Sequence, residues 1–194
     1  MRGVRSADNP RNEAAGTRKV PFTRELYIEK SDFAEVPPPK FQRLKPDGEV
    51  RLMGAYIVRC NEVIKDENGG IVEIRCTADL ETGNGMPADG RKVKGTIHWV
   101  SAAHAVDADL YLYDNLFTLE NVGDVPEGTD YLDYLNPDSL KKLTGCKLEP
   151  SLRDAKEGER FQFVRMGYYV KDREEGRFNR IVTLKDSFAK TLQK

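Results

Sequence analysis

The chain has 194 residues and a formal net charge of −1, with 39% hydrophobic and 32% charged residues. That composition fits a folded soluble globule and excludes a disordered chain. The near-neutral total excludes indiscriminate coating of duplex DNA, so any nucleic-acid contact must come from local, shape-matched patches.

No apolar run approaches the roughly 18 residues of a membrane span. The start, MRGVRSADNPRNEAAG, has no apolar signal core. Cys60, Cys76 and Cys146 form no CxxC pair and read as reduced thiols in the cytoplasm, although Cys60 and Cys76 are spaced to face each other across a hairpin.

Residues 1–16 are polar and without periodicity, and read as a flexible tail or linker. Glu25–Lys30 alternates as a strand should, and Ser31-Asp32-Phe33 opens a helical turn. Pro37-Pro38-Pro39 is a stiff spacer and marks a domain junction. From Val50 to Ile64 the chain is strand-like, and Asp66–Gly70 is a hairpin turn followed by a return strand through Val72, Ile74 and Cys76.

Gly90–His104, GRKVKGTIHWVSAAH, joins a basic approach to an alternating strand. Ile97 and Trp99 point one way, and Thr96, His98 and Val100 the other. Trp99, the only tryptophan, is expected in the core. Leu110–Tyr113 is a further strand, and a short helix is expected from Asp138. Arg160–Lys171 is the most aromatic strand and pairs with Phe178–Leu184 through a turn at Glu174–Gly176; Lys185–Lys194 reads as a polar tail or short helix. Many short strands without strand–helix alternation define an all-β fold.

The chain contains no phosphate-binding GxxxxGK[ST], no GxGxxG after a strand and no G-x-S-x-G. His98 and His104, six apart and near Asp107 and Asp109, do not follow a metal-ligand spacing. No catalytic residue and no metal site is expected here. What remains is arginine beside aromatic and amide residues: Arg43 near Phe41 and Gln42, Arg51 near Tyr56, and Arg165 near Gln162 and Phe163. Planar guanidinium groups grip base edges and aromatics stack on splayed bases, the two devices of sequence-specific RNA recognition.

Several strings carry a family resemblance: residues 16–25 (GTRKVPFTRE), Glu49-Val50-Arg51-Leu52, 89–104, 161–169 and Phe178-Asn179-Arg180. In this order they resemble the carboxy-terminal, anticodon-binding region of glutaminyl-tRNA synthetases. The resemblance implies two six-stranded antiparallel β-barrels, like the ribosomal protein that binds 5S rRNA, with few short helices. The proximal barrel would comprise residues 17–38 and 119–194, and the distal barrel 39–118. It also implies a monomeric, cytoplasmic protein without membrane contact. Its partners would be glutamine tRNA, through the anticodon loop, and its own catalytic domain, which would use ATP and Mg²⁺ outside this chain. No cofactor is expected within the chain, and the catalytic signatures of HIGH and KMSKS type are not among its residues.

Carried over position by position, Gln162 and Arg165 occupy the family's Q-F-x-R motif at the middle uridine. Arg51 matches the arginine at the first anticodon base, and Arg43 the one near the third, a guanine whose O6/N7 edge suits a guanidinium fork. Lys40, Gln42, Arg91, Lys92 and Lys94 are further candidate RNA contacts. Gln42 stands where lysine is frequent in the family, and Met53 where a second arginine is frequent. Gln162 and Arg165 are three apart, so both reach one base only if a bulge or strand end lies between them. A eukaryotic-type glutamyl-tRNA synthetase and a free-standing rRNA-binding barrel protein remain alternative readings.

Overall fold

The computed structural model of the chain describes residues 2–9 and 11–184. Two units emerge, one running to Ala105 and the other beginning at Val106. The expected C-terminal tail or helix at 185–194 lies outside the described residues.

The first unit contains β1 (Arg2–Ala7), β2 (Thr17–Phe22), β3 (Leu26–Ile28), β4 (Glu49–Leu52), β5 (Ile57–Lys65), β6 (Ile71–Asp79), β7 (Thr96–Ile97) and β8 (Trp99–Ser101). The second contains β9 (Val106–Tyr113), β10 (Leu140–Leu148), β11 (Arg160–Phe163), β12 (Gly167–Lys171) and β13 (Arg177–Thr183). The helices among the described residues are 3₁₀ turns of three or four residues. The fold is all-β, as expected.

The sheets are open, which corrects the expectation of closed six-stranded barrels. The first unit has a four-stranded sheet ordered β6-β5-β4-β7 and two-stranded sheets β1-β2 and β3-β8; the second has one five-stranded sheet ordered β10-β9-β13-β12-β11. In the first unit the ladder breaks at His98. Thr96–Ile97 runs parallel to β4, whereas Trp99–Ser101 pairs with β3.

Other expectations shift for physical reasons. The segment expected as a tail, 1–16, contains a strand, because β1 pairs residue for residue with β2, from Arg2 opposite Phe22 to Ala7 opposite Thr17. Residues 17–38 belong to the first unit, since β2 pairs with β1 and β3 with β8, and 106–118 belong to the second, since β9 pairs with β10 and β13. Pro37–Pro39 is no junction. It sits in a loop closed by a bridge between Phe33 and Leu44, with the Ala34 N–H donating to the Leu44 carbonyl at 3.2 Å. The Val50–Ile64 run folds back on itself around Gly54 (φ +68°), where Leu52 and Tyr56 are joined by a backbone hydrogen bond of 2.9 Å. Asp138 opens no helix. Leu140–Leu148 pairs instead with β9, and a capping box between Asp130 and Asp133 starts the short helix Tyr131–Tyr134. Pairing to a neighbouring strand outweighs weak local helix preference.

Alternation along each strand divides core from site. On β4, Val50 and Leu52 are buried while Glu49 and Arg51 face outward. Trp99 is in the core as expected, packed edge-on to Phe22 at 5.4 Å, with its indole N–H donating to the Met53 carbonyl at 3.0 Å. Val100, expected on the outer face, is buried as well. Cys60 and Cys76 do face each other across the β5–β6 hairpin. The second core is built on Ala108, Leu110, Leu148, Tyr169 and Phe178, with Phe163 stacked on Tyr169 at 4.3 Å.

Candidate nucleic-acid interface

In the first unit one close backbone approach joins three of the segments that carry candidate residues. Gly95 has φ +92°, and a Cβ there would lie 1.7 Å from the Gln42 carbonyl oxygen, so only glycine lets the 40–44 loop pack here. The Gly95 carbonyl in turn accepts the Arg51 N–H at 3.2 Å. This contact brings the backbones of Gln42, Arg51 and Lys94 together, with the Gln42 and Lys94 side chains exposed. Lys40, also exposed, adopts φ +63° at the start of the same loop.

The Arg51 guanidinium donates from Nη1 to the Gly83 carbonyl at 3.0 Å and from Nη2 to the Gly85 carbonyl at 2.6 Å. Arginine has five N–H donors, so these two bonds fix the plane of the fork and leave others for an incoming acceptor. Arg43 is placed differently. Its Nε lies 3.4 Å from Asp32 Oδ1, its Nη1 donates to the Ser31 carbonyl at 2.9 Å, and Asp32 is completely buried. Arg43 is therefore first the counter-charge of an internal carboxylate.

The basic run separates as well. Arg91 is held by Asp79 at 2.7 Å, Asp89 at 2.8 Å and Glu49 at 3.0 Å. The Asp79 and Asp89 carboxylates hold its guanidinium above its usual range, and the Arg91 side chain in return pulls the Asp79 carboxyl down. Three carboxylates surround Arg91, so its charge is already balanced within the protein. Lys92 and Lys94 remain exposed.

In the second unit, β11 turns Phe161 and Phe163 toward the core and leaves Arg160 and Gln162 outside. The strand then stops. Met166 donates its N–H to the Phe163 carbonyl at 2.9 Å, and Arg165 sits in the turn at φ +65°. A strand end thus lies between Gln162 and Arg165, the condition under which both can approach one ligand. Tyr168, beyond the turn, stands directly opposite Gln162 and is 41% exposed.

Sequence reasoning passed over Tyr168. The signal was present in the adjacent pair Tyr168-Tyr169, since alternation obliges one of the two to face out. It also missed exposed Arg5 opposite exposed Lys19 on the β1–β2 hairpin, which the reading of 1–16 as a tail concealed.

Arginine held on loop carbonyls, exposed lysines and an amide–tyrosine pair on adjacent strands are groups of the kind that contact unpaired nucleotides. Residues 3–79 and 96–172 each match a family model described as "tRNA synthetases class I (E and Q), anti-codon binding domain". The chain belongs to this family of anticodon-binding domains.

Its relatives narrow the class. The glutamine–tRNA ligase of Xanthomonas campestris pv. campestris (strain 8004) is 53% identical over 189 residues, which cover 95% of this chain and 32% of the relative. Those of Ectopseudomonas mendocina and Pseudomonas syringae pv. tomato are 52% and 48% identical over 192 residues, covering 95% of this chain and 34% of each relative. The chain spans about a third of the length of the curated relatives it matches. No helix among the described residues is long and apolar enough to cross a membrane.

Proposed function

We propose that the chain is the anticodon-reading portion of a glutamine–tRNA ligase, working in the cytoplasm as part of a monomeric enzyme and binding the anticodon loop of glutamine tRNA. The observation that carries this reading is the break after Phe163, which sets exposed Gln162 on a strand and Arg165 in the following turn. The amide of Gln162 both donates and accepts, and Arg165 donates only, a set that suits the edge of one unpaired uridine. In this reading Arg51, its fork held flat by two loop carbonyls, takes the first base, and Arg43 serves the third chiefly by holding the 40–44 loop on Asp32. Lys40, Lys92 and Lys94 supply phosphate contacts whose strength falls with salt.

Adenylation with ATP and Mg²⁺ and transfer to the tRNA would take place in the part of the enzyme outside this match. The 3₁₀ turns described here, of three or four residues, offer no helix N-terminus for a triphosphate.

The test is binding of RNA stem-loops carrying the glutamine anticodon or a version altered at the middle base. Arg165→Ala is expected to cost about 1–3 kcal/mol on the glutamine loop and little on the altered one. An equal loss on both loops would overturn the reading.

A further inference from the structure

Tyr168 is an aromatic ring left outside a well-built aromatic core. Its neighbour Tyr169 is fully buried and stacked on Phe163, while Tyr168 keeps 41% of its surface. The register slips at this point: Tyr168 faces Val182 on β13, Tyr169 faces Arg180, and Ile181 is left over as a bulge. Bulges re-aim side chains, and this one falls beside an outward tyrosine whose other neighbour, Gln162, lies directly across the ladder. Val182, on the far side, is 54% exposed. The result is a flat ring with an amide along one border and a guanidinium at the adjacent turn.

We propose that Tyr168 is a stacking platform for a single unpaired nucleobase, with Gln162 holding the edge of that base. A base is favoured over an apolar peptide because the ring is bordered by the donor–acceptor amide of Gln162 and stands beside the turn that carries the cation Arg165. Apolar side chains need neither, whereas a splayed nucleotide uses a stacking face, an edge partner and a charge for its phosphate. The strand that carries the ring is pre-set, because β12 is held between β11 and β13 and backed by Phe163, Tyr169 and Phe178. Stacking therefore requires little ordering of the backbone on binding. The inference rests on the anticodon reading above and assigns the base in question to the middle anticodon position.

The test uses the 194-residue chain and two RNA stem-loops with the glutamine anticodon, one intact and one abasic at the middle position, with dissociation constants read by fluorescence anisotropy at fixed salt. Tyr168→Leu should weaken the intact loop about 5- to 150-fold. It should leave the abasic loop unchanged, while Tyr168→Phe, which keeps the ring, stays close to the parent on both. Because the side chain is exposed, both variants should melt with the parent by circular dichroism. If Arg165→Ala loses base-dependent binding and Tyr168→Leu does not, the platform is wrong and the anticodon reading survives. If neither variant shows base-dependent loss, the anticodon reading fails with it. If Tyr168→Phe falls as far as Tyr168→Leu, the hydroxyl is the active group and stacking is refuted.

Discussion

Replacing Arg43 tests a division between support and recognition that the structure draws sharply. Asp32 is completely buried, and Arg43 is its ion partner at 3.4 Å while also donating to the Ser31 carbonyl. Asp32 belongs to the short helix Lys30–Asp32, and its carbonyl accepts the Leu44 N–H at 2.9 Å, so the carboxylate lies at the base of the loop that carries Lys40 and Gln42. Removing one member of a buried ion pair costs about 3–5 kcal/mol, because the remaining charge is stranded in a poor dielectric. The Arg43 side chain is itself 15% exposed, so some water already reaches the pair and the lower end, about 3 kcal/mol, applies. For a unit of this size that loss lowers the melting temperature by roughly 10–20 °C. Urea and thermal unfolding of Arg43→Ala, followed by circular dichroism, measure it. The double variant Asp32→Asn/Arg43→Met removes both charges and should recover a substantial part of the loss. If Arg43→Ala melts with the parent, the buried pair does not support the loop, and any loss of RNA binding in that variant reports base reading alone.

Two further outcomes concern Asp172 and Gly95. The Asp172 carboxylate accepts the Glu174 N–H at 3.0 Å and is bonded to Asn179 and to Arg177, which together hold its carboxyl well below the ordinary value of 3.8. A lowered folded-state pKa means that the unfolded chain takes up the proton first, so the stabilisation is complete above about pH 5 and fades as the medium is acidified below the ordinary carboxylate range. Asp172→Asn should therefore lower the melting temperature at pH 7 and converge on the parent in acid; a gap that stays constant with pH would refute the assignment. Gly95→Ala forces a Cβ against the Gln42 carbonyl at a φ of +92°, and should cost at least about 2 kcal/mol in urea unfolding. An unchanged midpoint would show that the 40–44 loop is not seated on Gly95.

The sequence was legible where local chemistry decides. Asp66–Gly70 turns as its residues require, with Asp66 Oδ1 accepting the N–H groups of Asn68 and Gly70 and Gly69 at φ +79°. Trp99 and the turn at Glu174–Gly176 were equally clear. It was illegible where the partner is distant. No local feature of RGVRSA (Arg2–Ala7) announces that it pairs with Thr17–Phe22, because a polar edge strand lacks an apolar face to betray it. Leu140–Leu148 failed for the related reason that its β-structure is imposed by β9, and it even needs a bulge at Gly145 (φ +65°), whose N–H is received by Asp109 at 3.0 Å. At the site, residue identities could be carried over from the family strings, but not the engagements that distinguish them. Arg43, Arg51 and Arg91 look alike in a sequence; only the fold shows one beside a buried acid, one on loop carbonyls and one enclosed by three acids.

That difference orders the three arginines by what each has left to give. A guanidinium that already balances a buried carboxylate cannot leave it without stranding that charge, so Arg43 is tied to Asp32. Arg91 meets a surplus of negative charge before any phosphate arrives. Arg51 alone is held by neutral carbonyls. Those bonds restrict its rotamers without neutralising it, so its full positive charge is presented in a fixed plane and less entropy is lost when a base edge docks. The tip of β11–β12 reaches the same end by another route: the backbone, with Arg165 at φ +65° and Gly167 too close to the Val182 carbonyl for any Cβ, sets the positions of Gln162, Arg165 and Tyr168. Base discrimination is therefore expected to concentrate at Arg51 and on the β11–β12 hairpin, with Arg43 acting chiefly through the loop it supports.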